Sequence, residues 1–237
     1  MTPFQNPTIY LGDLRIDEPV TAFTNLMFVA MCLFAFLNTK EQRHFIGPNL
    51  YRWFFLAIGL SALIAAFIGH AFLYHFGFGA KIYGWEANIL GVAFAQTAAI
   101  YHTRPSIKES VFKTLLIVSY IQIAVAMVLT YTVFSFIVVE IHSAISLLFI
   151  VCVLEGIHYK NTRSILSKYM LIGVGVTVFA VIVHVFKLAI SVWFNHLDLS
   201  HIIMCGSIYC FYRGVKLNTN SKSISHDHKL SAHGTED

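Results

Sequence analysis

Apolar residues run through this chain in long stretches, without the period-two alternation of barrel strands. Seven stretches approach the ~20 residues that a helix needs to cross a hydrocarbon layer of about 30 Å. They lie at roughly 20–38, 53–75, 85–102, 112–130, 134–154, 170–190 and 199–214. Glu18-Pro19 opens the first, and proline suits the first turn of a helix. Turn signals break the pattern at Gly47-Pro48-Asn49 and Arg104-Pro105-Ser106. The fourth and fifth stretches are joined by only a few residues near Tyr131-Thr132, which predicts a tight antiparallel pair. The predicted fold is an all-α membrane protein, a seven-transmembrane-helix bundle over residues 1–214. A polar, Ser- and His-rich tail, 215–237, reads as disordered. The chain shows no internal repeat, which argues against an inverted-repeat transporter.

Composition narrows the class. Of 237 residues, 57% are hydrophobic and 12% charged, against roughly 45–50% and about 25% in soluble domains. A formal charge of +4 spread over the loops excludes a basic nucleic-acid binder. The four cysteines, Cys32, Cys152, Cys205 and Cys210, all fall in apolar runs and read as small hydrophobes, not as a disulfide framework. The polar N-terminus leads directly into the first apolar run, which predicts a span that is its own insertion signal and no cleaved leader. With the N-terminus outside, thirteen of the sixteen Lys and Arg residues fall on the inner side, leaving Arg15, Lys81 and Lys187 outside. The positive-inside rule therefore puts the C-terminus in the cytoplasm. The expectation is a multi-pass protein of a plasma membrane, or of a bacterial inner membrane, with membrane lipid as its solvent and candidate substrate.

Ionisable side chains at membrane depth are costly and mark function by default. On this orientation six histidines (His70, His75, His142, His184, His196, His201) and four carboxylates (Glu18, Glu86, Glu140, Asp198) gather towards the outer face, with Asn25 two turns inside the first span. His102, Glu155 and His158, at the inner ends, read as ordinary boundary residues. Imidazoles with carboxylates are the ligand set that zinc prefers.

The densest motif is Asn195-His196-Leu197-Asp198-Leu199-Ser200-His201. Two histidines five apart on a regular helix point about 140° apart and cannot both face one ion. Asp198 as N-cap would start the helix at Leu199 and leave His196 in the preceding loop, free to turn inward. His196, His201 and either His75 or His70 would then give three protein ligands and an open position, the arrangement of a catalytic zinc. Glu86 or Asp198 would act as base towards the zinc-bound water.

Seven spans, a histidine late in the second, an acid eleven residues on and a histidine pair at the start of the last resemble the CREST superfamily. It includes alkaline ceramidases and the progestin and adipoQ receptors. Its pattern is Ser-x-x-x-His, an Asp eleven residues later, and a final His-x-x-x-His. His75, Glu86, His196 and His201 match those places, and Glu18-Pro19 with Thr24-Asn25 is similar to the superfamily's acidic, Asn-bearing first span. The pattern's serine is Ala71 here, or Ala66 if His70 is the match. The acid is glutamate, and the last pair has four intervening residues. The resemblance implies a zinc-dependent hydrolase of a lipid amide or ester, with zinc on His75, His196 and His201 and Glu86 as the catalytic acid beside the zinc-bound water; Asp198 is the other catalytic candidate, from the geometry of its motif. His70, Glu18, Asn25, Glu140, His142 and His184 are supporting candidates. The alternatives are a receptor or sensor of the same architecture with a structural metal, and a proton-coupled transporter.

Overall fold

The computed structural model describes residues 7–44 and 46–233, with side chains described to residue 218 apart from Gln42. It opens on an element that the apolar pattern did not predict. Thr8–Leu11 (β1) and Leu14–Asp17 (β2) form an antiparallel hairpin, with Leu11 opposite Leu14. The two-residue turn between them, Gly12-Asp13, has Gly12 at φ +61°, the positive φ that a type II′ hairpin turn requires at its first central position. The hairpin is tied to the helices beneath it. The Tyr74 hydroxyl donates to the Arg15 carbonyl at 3.1 Å, and the Arg15 guanidinium lies 5.0 Å from the Tyr74 ring centroid.

Long helices follow: α1 (Pro19–Asn38), α2 (Ile46–Ile64), the short α3 (Leu73–Phe76), α4 (Lys81–Thr103), α5 (Glu109–Val133), α6 (Ile137–Ala144), α7 (Cys152–Thr162), α8 (Ile165–Val185) and α9 (His196–His233). Among the described residues, two π-helical turns interrupt the regular pattern. Ala65–Ala71 extends α2, and Ile145–Val151 joins α6 to α7. Every predicted stretch has its helix. Among the described residues, five are long and apolar enough to cross a membrane: α1, α2 with its π turn, α5, α6 through α7, and α8. Of the expected tail, 215–237, the backbone to His233 continues α9, and only residues 234–237 lie outside the described residues.

The burial pattern explains why α4 is less apolar than these five. It is the central helix, buried along its length at Ile89, Val92, Ala95, Ala98, Ala99 and Ile100. A helix surrounded by other helices needs close packing more than greasiness, and small residues allow it. A methyl group at Gly91 would meet the Ile58 side chain of α2 at 2.7 Å. By contrast α5 buries only Phe112, Ser119, Ala126 and Thr130 and turns Ile117, Ile121 and Val128 outward. The main core joins Phe28 and Cys32 of α1, Phe54 and Phe55 of α2, Met170 of α8 and Phe211 of α9. Helices α8 and α9 are stitched together by hydroxyls: Thr177 Oγ1 and Ser207 Oγ are 2.7 Å apart, and Ser207 donates to the Gly173 carbonyl at 2.8 Å. All four cysteines are free thiols.

The up-and-down course places the starts of α1, α4, α6 and α9 and the ends of α2, α5 and α8 beside the hairpin. This is the hairpin end; the opposite one is the loop end.

A candidate polar site at the hairpin end

Glu18 links β2 to α1 and holds a left-handed backbone, φ 46° and ψ 52°. That conformation costs a non-glycine residue on the order of 1 kcal/mol, and such strain concentrates at functional sites. Its carboxylate pairs with Nδ1 of His70. His70 lies on the first π turn, a distortion frequent at functional sites. With Nδ1 engaged by a carboxylate, the imidazole is fixed in orientation and its Nε2 lone pair is left to act as a base.

The pair opens onto a cleft of about 590 Å³ lined by Pro7, Thr8, Arg15, Asp17, Glu18, His70 and Leu73. Asp17 in this cleft accepts from Thr8 Oγ1 at 2.7 Å and from Arg15 Nε at 2.9 Å. The hydrogen bond to Asp17 raises the Arg15 guanidinium above its ordinary value, so a permanent cation stands at the cleft mouth.

A second carboxylate–imidazole arrangement joins α1 to α9. Asp198 is fully buried. Its Oδ2 accepts the Asn195 backbone N–H at 2.7 Å, while Asn195 Oδ1 accepts the Leu197 N–H at 2.8 Å. This reciprocal exchange is the logic of a capping box, and it corrects the expected helix start. The cap is Asn195, not Asp198, so α9 begins at His196 and His196 is on the helix rather than in a loop. The other Asp198 oxygen faces Thr24 Oγ1 at 3.3 Å, and Thr24 Oγ1 lies 3.1 Å from His201 Nδ1. A hydroxyl has one proton. The Thr21 carbonyl, 3.1 Å from Thr24 Oγ1, competes for it; when Thr24 donates it to Asp198 instead, it accepts from His201 Nδ1–H, and His201 too presents a bare Nε2. His201 is within electrostatic reach of His70 and His184. His184 pairs with Glu140 at 3.5 Å and packs on His196 with ring centroids 5.4 Å apart.

Other expected site residues fall elsewhere. His75 is exposed, in ring contact with its neighbour Phe76. Glu86 hydrogen-bonds Tyr131. Asn25 donates to the Thr21 carbonyl within α1. His142 belongs to a buried polar layer in mid-bundle: Gln122 Nε2 lies 3.2 Å from its Nδ1, and its Nε2 lies 3.2 Å from the Ile89 carbonyl. The zinc set His75, His196 and His201 is therefore not assembled. Among the described residues, no three His, Cys, Asp or Glu side chains are disposed to hold a metal ion.

At the loop end the residues that read as ordinary boundary groups form a further buried cluster. Glu155 of α7 is fully buried. It accepts from Tyr51 of α2 at 3.1 Å and from Ser167 of α8 at 2.6 Å, and Nδ1 of His102 on α4 lies 3.1 and 3.0 Å from its two oxygens. His158 stands edge-on to His102, centroids 4.6 Å apart. The usable signal was helical phase: Val151, Glu155 and His158 follow at intervals of four and three on one stripe, and all three are buried.

Together these features define a helical bundle with an apolar exterior and a pair of oriented imidazoles at one end. The chain belongs to DUF6962, a family of unknown function, matching it over residues 20–220. No curated protein and no solved structure matches it.

Proposed function

We propose that the protein is a seven-span integral membrane hydrolase that cleaves a lipid ester or amide at the hairpin end. The five long apolar helices supply five spans, and α4 and α9 complete the bundle. Outward-facing residues such as Phe149, Phe179 and Val128 are 69%, 57% and 63% exposed, a surface suited to lipid rather than water. The lysine and arginine bias directs the hairpin end outward.

The observation that carries the reading is the Glu18–His70 pair opening on a cleft beside Arg15. In this scheme His70 Nε2 takes a proton from water as the oxygen adds to the scissile carbonyl. Glu18 stabilises the imidazolium that forms. The tetrahedral intermediate then expels the alcohol or amine, which recovers the proton from His70. Arg15 meets the polar headgroup or the developing oxyanion. His201, oriented through Thr24 by Asp198, holds the water from the α9 side.

The test is hydrolysis of a panel of acyl esters and N-acyl amides of long-chain alcohols and amines by protein in liposomes. Glu18→Gln and His70→Gln are expected to lower kcat/KM by about 10²-fold or more, the usual span for a general base. Turnover that is unchanged in His70→Gln, or absent on every ester and amide tried, refutes the proposal.

A further inference from the structure

We propose that Glu155 and His102 form a proton-binding site that exchanges with water at the loop end through His158 and Ser106. The proposal shares no residue with the hydrolase reading and does not depend on it.

The hydrogen-bond inventory of Glu155 carries the argument. Tyr51 and Ser167 are hydroxyl donors, and they serve the two carboxyl oxygens separately, Oε1 and Oε2. The remaining partner, His102 Nδ1, is within 3.1 Å of both. An imidazole nitrogen can be donor or acceptor, so this bond is reversible. With Glu155 ionised, His102 donates to it. With Glu155 protonated, the carboxyl O–H donates to a bare His102 Nδ1, while Tyr51 and Ser167 still donate to the acid's oxygens. Both states leave every polar atom of Glu155 paired. A buried carboxylate that served only as a structural tie would need one state; this one is built to hold a proton in either of two places.

Access to the site is short. His102 retains 12% side-chain exposure, whereas Glu155 has none. Beyond His102, the His158 ring is followed by Ser106 Oγ, 2.7 Å from His158 Nδ1. Ser106 is half-buried in the turn Arg104–Ser106 between α4 and α5. The groups facing Glu155 can be named element by element. Helix α2 contributes Tyr51, α4 contributes His102, and α7 itself contributes His158. From α8 comes only the Ser167 hydroxyl, since Lys168 is exposed and Tyr169 bonds Arg213. The π turn Ile145–Val151 has no titratable residue. Arg104 is turned to Glu109 at 3.1 Å. One carboxyl group thus ties α2, α4, α7 and α8, and its proton changes the His102 bond that closes the tie.

The experiment is infrared difference spectroscopy of the full chain in liposomes, with pH stepped between about 5 and 8, the range in which imidazole chemistry operates. Acidifying the loop-end side is expected to produce a protonated-carboxyl band that Glu155→Gln abolishes. Acidifying the hairpin-end side alone should not produce it. Tyr51→Phe keeps a band at shifted frequency, because it removes a donor but not the proton's two resting places. If Glu155→Gln fails to fold, His102→Gln decides, since it keeps a donor to Glu155 but cannot take the proton: the wild-type band must be lost or displaced out of this pH range. A band that is unchanged in the readable variant, or that follows the hairpin-end pH, overturns the proposal.

Discussion

Asp198 offers a way to separate structural work from chemical work in one side chain. Its carboxylate satisfies the backbone N–H of Asn195, itself only 5% exposed, and faces Thr24 on another helix. Truncation by Asp198→Ala leaves a buried N–H without a partner, a loss of roughly 1–3 kcal/mol, and removes a charge-assisted bond at a helix start. The sum is about 3 kcal/mol, which for a chain of this size lowers Tm by roughly 6–12 °C. Asp198→Asn keeps a carbonyl oxygen for the Asn195 N–H and can donate its amide to Thr24, so it should cost about 1 kcal/mol or less, roughly 2–4 °C. It also removes the charge that orients His201 through Thr24, so hydrolysis should fall by about 10²-fold with the fold intact. Thermal unfolding in detergent beside turnover in liposomes reads both effects. If Asp198→Asn melts as low as Asp198→Ala, the capping account is wrong. If it melts like wild type and hydrolyses like wild type, the relay through Thr24 is wrong.

Two further substitutions test placements made above. His75→Ala is expected to leave turnover, Tm and bound metal unchanged, because His75 is exposed and outside the imidazole cluster; loss of one zinc per chain on metal analysis would restore it as a ligand. Gly173→Ala would push a methyl group onto the Phe211 ring, 2.5 Å from Cδ1, where α8 meets α9. Phe211 is buried and packs edge-on against Phe54, ring centroids 5.6 Å apart, so overpacking should cost about 2 kcal/mol, roughly 4–8 °C in Tm. Phe211→Leu in the same chain should recover part of that loss, and a Gly173→Ala protein as stable as wild type would refute the close α8–α9 contact.

Hydrophobic pattern gives the place of a residue along its helix better than the direction in which the residue points. The all-helical class and the place of each apolar run were legible because runs of this length have few alternatives, but only five of the seven expected spans are long and apolar enough to cross a membrane among the described residues. The hairpin has a signal of its own, since Gly12-Asp13 between two short runs is a hairpin turn pair, but its strands are too short to register in a pattern of apolar stretches. The capping of α9 was misread because Asp198 and Asn195 are both good cap residues, and only the reciprocal bonds distinguish them. The two π turns have no signature in the apolar pattern, yet each rotates the side chains beyond it. His70 is on one of these turns, while His142 and Ser146 flank the start of the other.

The same distinction between depth and direction explains the largest misreadings. His102, Glu155 and His158 were placed at a boundary where water could solvate them, and depth alone licensed that reading. Their helices turn them inward, so a boundary carboxylate became the most enclosed charge-bearing group at the loop end. His75 and Glu86, expected among the site residues at the outer ends of their spans, face outward or towards Tyr131. The resemblance to the CREST pattern was drawn through His75, Glu86, His196 and His201, and these four do not form one group. The paired residues are instead Glu18 with His70 and, by way of Thr24, Asp198 with His201. Asp198 and His201 are three apart on one helix, about 60° in azimuth, whereas the superfamily-like pair His196 and His201 diverges by about 140°. A relationship to those enzymes, if it is expressed in chemistry, therefore has to run through His70 and His201. The substitutions that decide it are at these two residues.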